Sequence, residues 1–435
     1  MAEGKSWKIM LTPELQTAYL SILREELVPA TGCTEPIALA YAAARLRELL
    51  GAMPERIDAD ISGNIIKNVK SVVVPNTGGK KGIPAAIAAG VVAGDAGKVL
   101  QVIAEVPPEL HAAIGEYVEN TPIRLTCSHT TRLLDIVLKG YAGEHTALVQ
   151  IANSHSNIVR EERDGEVLLE KPFSDSAEDN LTDKSALSVA DILEFANTVD
   201  LSLIGDLLEA QLSCNLAIAE EGLRNDWGAN VGSVILGESQ GSPKSDAKAW
   251  AAAGSDARMS GCEMPVVILS GSGNQGIAAS VPVARYAHHL GASKEKLYRA
   301  LLVSDLITVE QKSGIGRLSA YCGAVSAAVG SGAAITYLYG GSYEAVCDTI
   351  TNTIANVSGI VCDGAKPSCA AKIASAVDAA ILGHCMALQN RSFRPGDGIV
   401  RGDVEDTIRG VGRIGRDGMR ETDEEILNII LEKIS

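Results

Sequence analysis

The chain has 435 residues, 46% hydrophobic and 21% charged, which is enough for two or three domains with cores of their own. Its formal net charge of −16 comes with no Lys/Arg stripe of the kind a phosphate backbone selects, so nucleic acid is excluded as a partner. Aromatics make up only 4% while Gly and Ala abound, a make-up that predicts tightly packed helices with little aromatic filling.

Met1–Leu20 has no basic head followed by an apolar run, so no signal peptide is expected. Nine cysteines, an odd number, then suit reduced thiols in a cytoplasmic location better than a disulfide framework. Leu15–Leu27 has helical apolar spacing that stops at Pro29. The loop Ala30–Pro36 feeds a second helix, Ile37–Leu50, with Pro36 in its first turn. Cys33 therefore stands at a helix start, where the dipole favours a thiolate.

Arg56–Ser62, Val69–Val74 and Val99–Val106 read as strands, with a small-residue helix at Pro84–Val92 between the last two. Thr121–Cys127, Leu133–Tyr141, Glu144–Ile151 and Val167–Glu170 continue the β-rich region. Pro172–Lys184 is polar and charged, the composition of a linker. Helical spacing dominates beyond it, in Ser188–Thr198, Ser202–Glu221, Ile277–Leu290, Lys294–Val309, Ala320–Tyr339, Tyr343–Ser358, Cys369–Asn390 and Asp423–Ile434. The expected fold is α+β: an N-terminal α/β domain, 1–180, followed by an all-helical domain, 181–435. Cys322–Gly341 carries no charge and is long enough to span a bilayer, but its Ala, Gly and Ser content reads as a buried helix, and no membrane association is expected. A helix-rich surface of small residues is compatible with a homodimer.

Four constellations bear on chemistry. Cys362 enters an Asp-Gly turn, Cys369 opens the next helix after Pro367, and Cys322 can add a third thiol. Soft thiolates suit iron–sulfur clusters or zinc, but the C-x2-4-C pairing of zinc sites is absent. Spacing alone leaves a cluster site and three unrelated buried thiols both open. Cys33 is the second constellation, a base or nucleophile if ionised and otherwise a buried small hydrophobe.

Gly271–Gly276 satisfies G-x-G-x-x-G after a short strand, Val266–Leu269. A dinucleotide site needs another strand after the helix, yet Ser293–Val309 continues with helical spacing. A turn in which Ser272, Gly273, Asn274 and Gln275 hold a small carboxylate fits better. The fourth constellation is Asn64, Lys67 and Asn68 with Asn76, Thr77 and Gly78, polar groups around Gly turns that can bind an amino acid's charged ends or simply form turns. His129 and His155 accompany no nucleophile elbow, and a structural role is the default for both.

Together these segments resemble the L-cysteine desulfidase family, related to the α chain of iron–sulfur L-serine dehydratases. The likeness is carried by Pro29–Pro36, Ser62–Asn68, Val74–Gly79, Gly271–Gly276, Arg317–Gly323, Cys362–Lys372 and Gly410–Met419, and so spans nearly the whole chain. The resemblance implies a pyridoxal-independent elimination converting L-cysteine to hydrogen sulfide, ammonia and pyruvate. It further implies that Cys322, Cys362 and Cys369 hold a [4Fe–4S] cluster with one iron open, and that Cys33 removes the α proton. Cationic surroundings, Lys67 among them, would bring such a thiol's pKa near ambient pH. L-serine, or another β-substituted amino acid, is the alternative substrate. A non-catalytic iron–sulfur sensor of amino acids is a further alternative.

Overall fold

The computed structural model describes residues 11–128, 130, 132–172, 181–238, 241–316 and 319–432. His129, Arg317 and most of the expected linker lie outside them. The helices of the first half are α1 (Pro13–Glu26), α2 (Thr34–Leu50), α3 (Gly63–Val69), α4 (Gly82–Ala93) and α5 (Leu110–Asn120). Those of the second half are α6 (Val189–Thr198), α7 (Gly205–Arg224), α8 (Val231–Glu238), α9 (Pro243–Met259), α10 (Gly273–Leu290), α11 (Lys294–Ile315), α12 (Gly323–Leu338), α13 (Tyr343–Asn356), α14 (Cys369–Ala387), α15 (Val404–Arg413) and α16 (Arg420–Leu431). The strands are β1 (Val28–Thr31), β2 (Arg56–Ser62), β3 (Ile123–Ser128), β4 (Asp135–Ala142), β5 (His145–Ala152), β6 (Ile158–Arg163), β7 (Glu166–Glu170) and β8 (Pro265–Ile268).

β2 to β7 form one sheet in the order β3-β2-β4-β5-β6-β7, antiparallel except for the β2–β3 pair. Alternate residues of β2 (Ile57, Ala59, Ile61), β4 (Ile136, Leu138) and β5 (Ala147, Val149, Ile151) are buried, and α2 packs on β4 and β5. This is the period-2 pattern of a sheet with one covered face. A second hydrophobic cluster is built mostly from the helices between α6 and α15.

The domain boundary expected at residue 180 does not divide the packing. Tyr19 and Leu23 of α1 and Leu27 just beyond it belong to the helical cluster, and β1 pairs antiparallel with β8. At the other end, α16 returns to the sheet half, where Leu427 packs on Gly63 of α3. Two expected strands also fail to form. Val69 ends α3, with Val72 and Val74 in the turns beyond it, while Val99–Val106 becomes a short 3-10 helix and turns. In both segments Val72, Val74, Val102, Ile103 and Val106 are buried in the sheet-side core, so packing rather than strand pairing uses their apolar surface. Sequence reading missed α5, in which only Ile114 is fully buried, and the charge-rich β6.

α12, expected as a buried helix, is covered by α10, α11, α13 and α14. α14 is the one helix among the described residues long and apolar enough to cross a membrane, and half of it is buried against α9, α12 and α13. β8 leads through a turn, with Ser270 and Gly271 at positive φ, into α10. At Gly276 any Cβ would run into the Val267 carbonyl oxygen, so only glycine lets the α10 start lie on β8. No βαβ unit follows, because β8 pairs with β1 alone and α11 comes next.

Two predictions follow from this packing. Gly276→Ala should cost roughly 1–3 kcal/mol or more through overpacking, read as a lower urea midpoint. The second concerns Asp305 of α11, which is fully buried, accepts Gln211 Nε2 at 2.9 Å through Oδ1, and has no partner at Oδ2. Burial raises its carboxyl from 3.8 to about 7. Between those values the unfolded chain gives up a proton that the folded chain keeps, so stability falls as pH rises from about 4 to about 7. Asp305→Asn should flatten that slope when urea midpoints are compared across the window; an unchanged slope would show that another group sets it.

Candidate active site

Backbone pairing brings two of the three predicted ligand cysteines together. An isolated antiparallel bridge joins Tyr321 to Val361, with Cys322 N donating to Ile360 O at 2.8 Å and Cys362 N to Ala320 O at 2.7 Å. Cys322 caps the N-terminus of α12, and Cys369 is the first residue of α14, its thiol 3.7 Å from Gly364 O. Gly364 has φ +97°, and a Cβ there would strike the Lys67 carbonyl, so glycine lets the cysteine loop lie on α3. Asp363 anchors the loop by accepting from both Lys366 and Lys372.

The three thiols differ in acidity. A hydrogen bond from the Cys322 thiol, with help from the Lys67 charge, the Gly364 N–H and Lys372, holds Cys362 well below the ordinary thiol range despite its burial. The same bond, together with burial, pushes Cys322 well up, and burial raises Cys369. Among the described residues, no three metal-binding side chains converge as they would on a single metal ion.

Cys33 is buried at the N-cap of α2 and donates to Glu35 Oε2 at 3.0 Å. Thr34 Oγ1 donates to the same oxygen at 3.1 Å, and Asn68 Nδ2 donates to Oε1 at 3.0 Å. Arg258 in the last turn of α9 reaches Gly32 O at 3.0 Å and Asn274 Oδ1 at 3.2 Å, tying the Cys33 loop to the start of α10. The thiolate expected at Cys33 is not what this environment favours. Burial and the Glu35 charge push its thiol well up, and Arg258 offsets them only in part. Lys67, expected to lower it, pairs with Asp423 of α16 and acts on Cys362 instead. Glu35 stays below the usual carboxylate range: burial raises it, but His155, the Cys33 bond and Arg258 outweigh burial.

One cavity of about 100 Å³ collects these groups. Cys33, Cys322, Cys362 and Cys369 line it, with Asn64, Lys67, Asn68, Ser272, Asn274 and Gln275 from the sequence-predicted set. Gly273 lies beneath Arg258 rather than in the wall. Asn76, Thr77 and Gly78 are elsewhere, and they serve the turn alternative that their sequence also allowed. Asn76 Nδ2 donates to Ile103 O at 2.8 Å, Thr77 Oγ1 donates to Val74 O at 2.7 Å, and Gly78 takes φ +68° against His111. Sequence reading missed Glu35, Arg258, Lys312 and Tyr321, all in the wall. Glu35 sits inside a quoted motif, whereas Arg258 and Lys312 end helices with no local signal. Arg258 Nε, Gln275 Oε1 and Asn64 Oδ1 are buried without hydrogen-bond partners, a pattern that asks for a polar ligand or water.

Four thiols and several cations around so small a cavity define a small-molecule site rather than a macromolecular interface. Comparison with known proteins then gives the family: residues 97–428, more than half of the chain, match the model described as serine dehydratase alpha chain, and the chain belongs to that family. It is 52% identical over 417 residues to a UPF0597 protein of Desulfitobacterium hafniense, covering 96% of this chain and 97% of that one. A UPF0597 protein of Lachnoclostridium phytofermentans is 52% identical (95% and 99% covered), and one of Treponema denticola 49% (95% and 97%).

The Lys67 side chain is 2% exposed and that of Asp423 21%. Asp423→Asn takes the carboxylate partner from the buried ammonium and should cost about 2 kcal/mol, discounted for the partly exposed carboxylate. Adding Lys67→Met should restore most of that loss in urea titration. Equal, additive losses in the two variants would mean that the pair does not couple α16 to α3.

Proposed function

We propose that this protein is a pyridoxal-independent iron–sulfur lyase that eliminates the β substituent of a small L-amino acid, with L-cysteine the substrate and hydrogen sulfide, ammonia and pyruvate the products. The observation that carries the reading is the joint presence of Cys33, Cys322, Cys362 and Cys369 in one wall with cations and amides. Membership of the serine dehydratase alpha chain family supports the elimination chemistry. The family's description also favours a second reading, L-serine as substrate, which would use the same residues.

The donor set fits a [4Fe–4S] cluster. Three soft thiol donors in one cavity wall suit such a cluster, and two of them, Cys322 and Cys362, are within hydrogen-bond contact. Cys362 is the thiol readied for ionisation, and the starts of α12 and α14 favour negative charge at Cys322 and Cys369. When bound, such a cluster supplies a Lewis acid at the iron that no thiolate holds. The chain's own residues supply the rest. Arg258, Asn274 and Gln275 hold the substrate carboxylate at the α10 start, and Asn64 and Asn68 orient it from α3. Cys33 takes the α proton.

Anaerobic reconstitution with iron and sulfide should give a brown protein that releases sulfide and pyruvate from L-cysteine. Cys362→Ala should lose iron and at least about 100-fold of kcat. A variant that kept both would sink the reading, and kcat/KM for cysteine against serine on one preparation decides the substrate.

A further inference from the structure

We propose that Glu35 is the positioning residue through which Cys33 works: it accepts the thiol's proton along the Sγ–Oε2 hydrogen bond while Sγ takes the substrate's α proton. The inference deepens the lyase reading above and rests on it. A helix start favours a thiolate, whereas burial favours the thiol. Here the neighbour within hydrogen-bond reach is a carboxylate, at 3.0 Å, and both groups wall the same cavity. Three donors fix that carboxylate: the Cys33 thiol, Thr34 Oγ1 and Asn68 Nδ2. It is therefore held in place by more than the thiol, as a proton acceptor that must not swing away should be.

The charged and titratable groups around the pair come from several other elements, and include Tyr321, Cys322, Cys362 and Cys369 across the cavity. Arg258 approaches from α9 and His155 from the loop between β5 and β6; Lys67 on α3 and Lys312 on α11 line the same cavity. Arg258 and His155 stabilise one negative charge on the pair, and a second would meet the full penalty of burial. One proton shared by sulfur and oxygen satisfies that limit, and the thiol's high proton affinity with the carboxyl's low one rests it on sulfur.

The step balances without an outside oxidant or reductant. The substrate's Cα–H bond breaks and its proton goes to Cys33 Sγ, while the thiol's original proton moves to Glu35. The Cα–H electron pair becomes the Cα–Cβ double bond, and the Cβ–S bond (Cβ–O for serine) breaks with its pair on the departing hydrosulfide or hydroxide. The proton on Glu35 then neutralises that anion, and the pair returns to thiol and carboxylate. The aminoacrylate left behind tautomerises and is hydrolysed by water to pyruvate and ammonia.

The test separates acidity from activity. The full chain, purified without added iron, is alkylated with iodoacetamide across a pH series, and the Cys33 peptide is followed by mass spectrometry; the reconstituted enzyme is assayed in parallel. Glu35→Gln should lower the Cys33 alkylation midpoint by at least about one pH unit, because a like charge has gone. It should nevertheless lower kcat about 100-fold. A Glu35 that acted only as a neighbouring charge would leave a more acidic, self-sufficient Cys33 thiolate, which would gain activity from the same change. An unmoved midpoint, or a kcat within about threefold of wild type, would overturn the proposal. If Glu35→Gln does not fold, Glu35→Asp carries the test, since it keeps the charge and withdraws it by one methylene. Its midpoint should stay high while kcat falls at least about 10-fold, and an unchanged kcat refutes the relay. A wild-type enzyme inactive on both cysteine and serine would refute the lyase function itself, and the alkylation midpoints would still decide whether the two side chains share a proton.

Discussion

The structure depends on keeping negative charge stable in a buried place. Cys33, Ser272, Cys322 and Cys369 each stand at the start of a helix, and the first turns of α2, α10, α12 and α14, with α3, line one cavity. Unpaired N–H groups at those ends carry partial positive charge. Lys67, Arg258 and Lys312 add full charges in the same wall, in a chain whose net charge is −16. Glu35 is held below the usual carboxylate range by His155, the Cys33 bond and Arg258, and Cys362 below the ordinary thiol range by the Cys322 bond and the lysines, in both cases against burial. Replacing helix ends with strands at these positions would remove the partial positive charge, because sheets have little net dipole.

The same requirement explains how the two cores are joined. Cys33 belongs to the sheet-side cluster and Cys322 to the helical one, so the cavity lies where the two meet. Two ties cross that meeting: the Arg258 bond to Gly32 and the Gly364 loop resting on α3. A third closes over it, as α16 places Asp423 on Lys67 and Leu427 on Gly63. Each tie joins residues far apart in sequence, so cavity geometry is a property of the whole chain.

That is also why the sequence revealed some of this and not the rest. Helix starts were legible at Cys33, Ser272 and Cys369, because Gly and Pro punctuate the chain just before periodic apolar runs. The sheet strands β2, β4 and β5 showed through their alternation. Val69–Val74 and Val99–Val106 misled because a short apolar run looks the same whether it pairs or merely packs. Asn76 and Thr77 had the chemistry of ligands and the geometry of turns, and nothing local separates the two. Arg258 and Lys312 were invisible as site residues: each is a basic residue in a helix's last turn, an ordinary place for one, until tertiary packing aims it at the cavity.

Chemically identical thiols are given different work by their neighbours. Cys362 receives a hydrogen bond from Cys322 and feels Lys67 and Lys372, so its thiol sits well below the ordinary range despite burial. Cys33 is buried and faces Glu35 across a hydrogen bond that it donates, so its thiol is pushed well up. Lys67 contributes to that difference. Paired with Asp423, its ammonium favours the anion at Cys362; directed at Cys33 instead, it would lower the thiol that burial and Glu35 push up and narrow the gap between the two sulfurs.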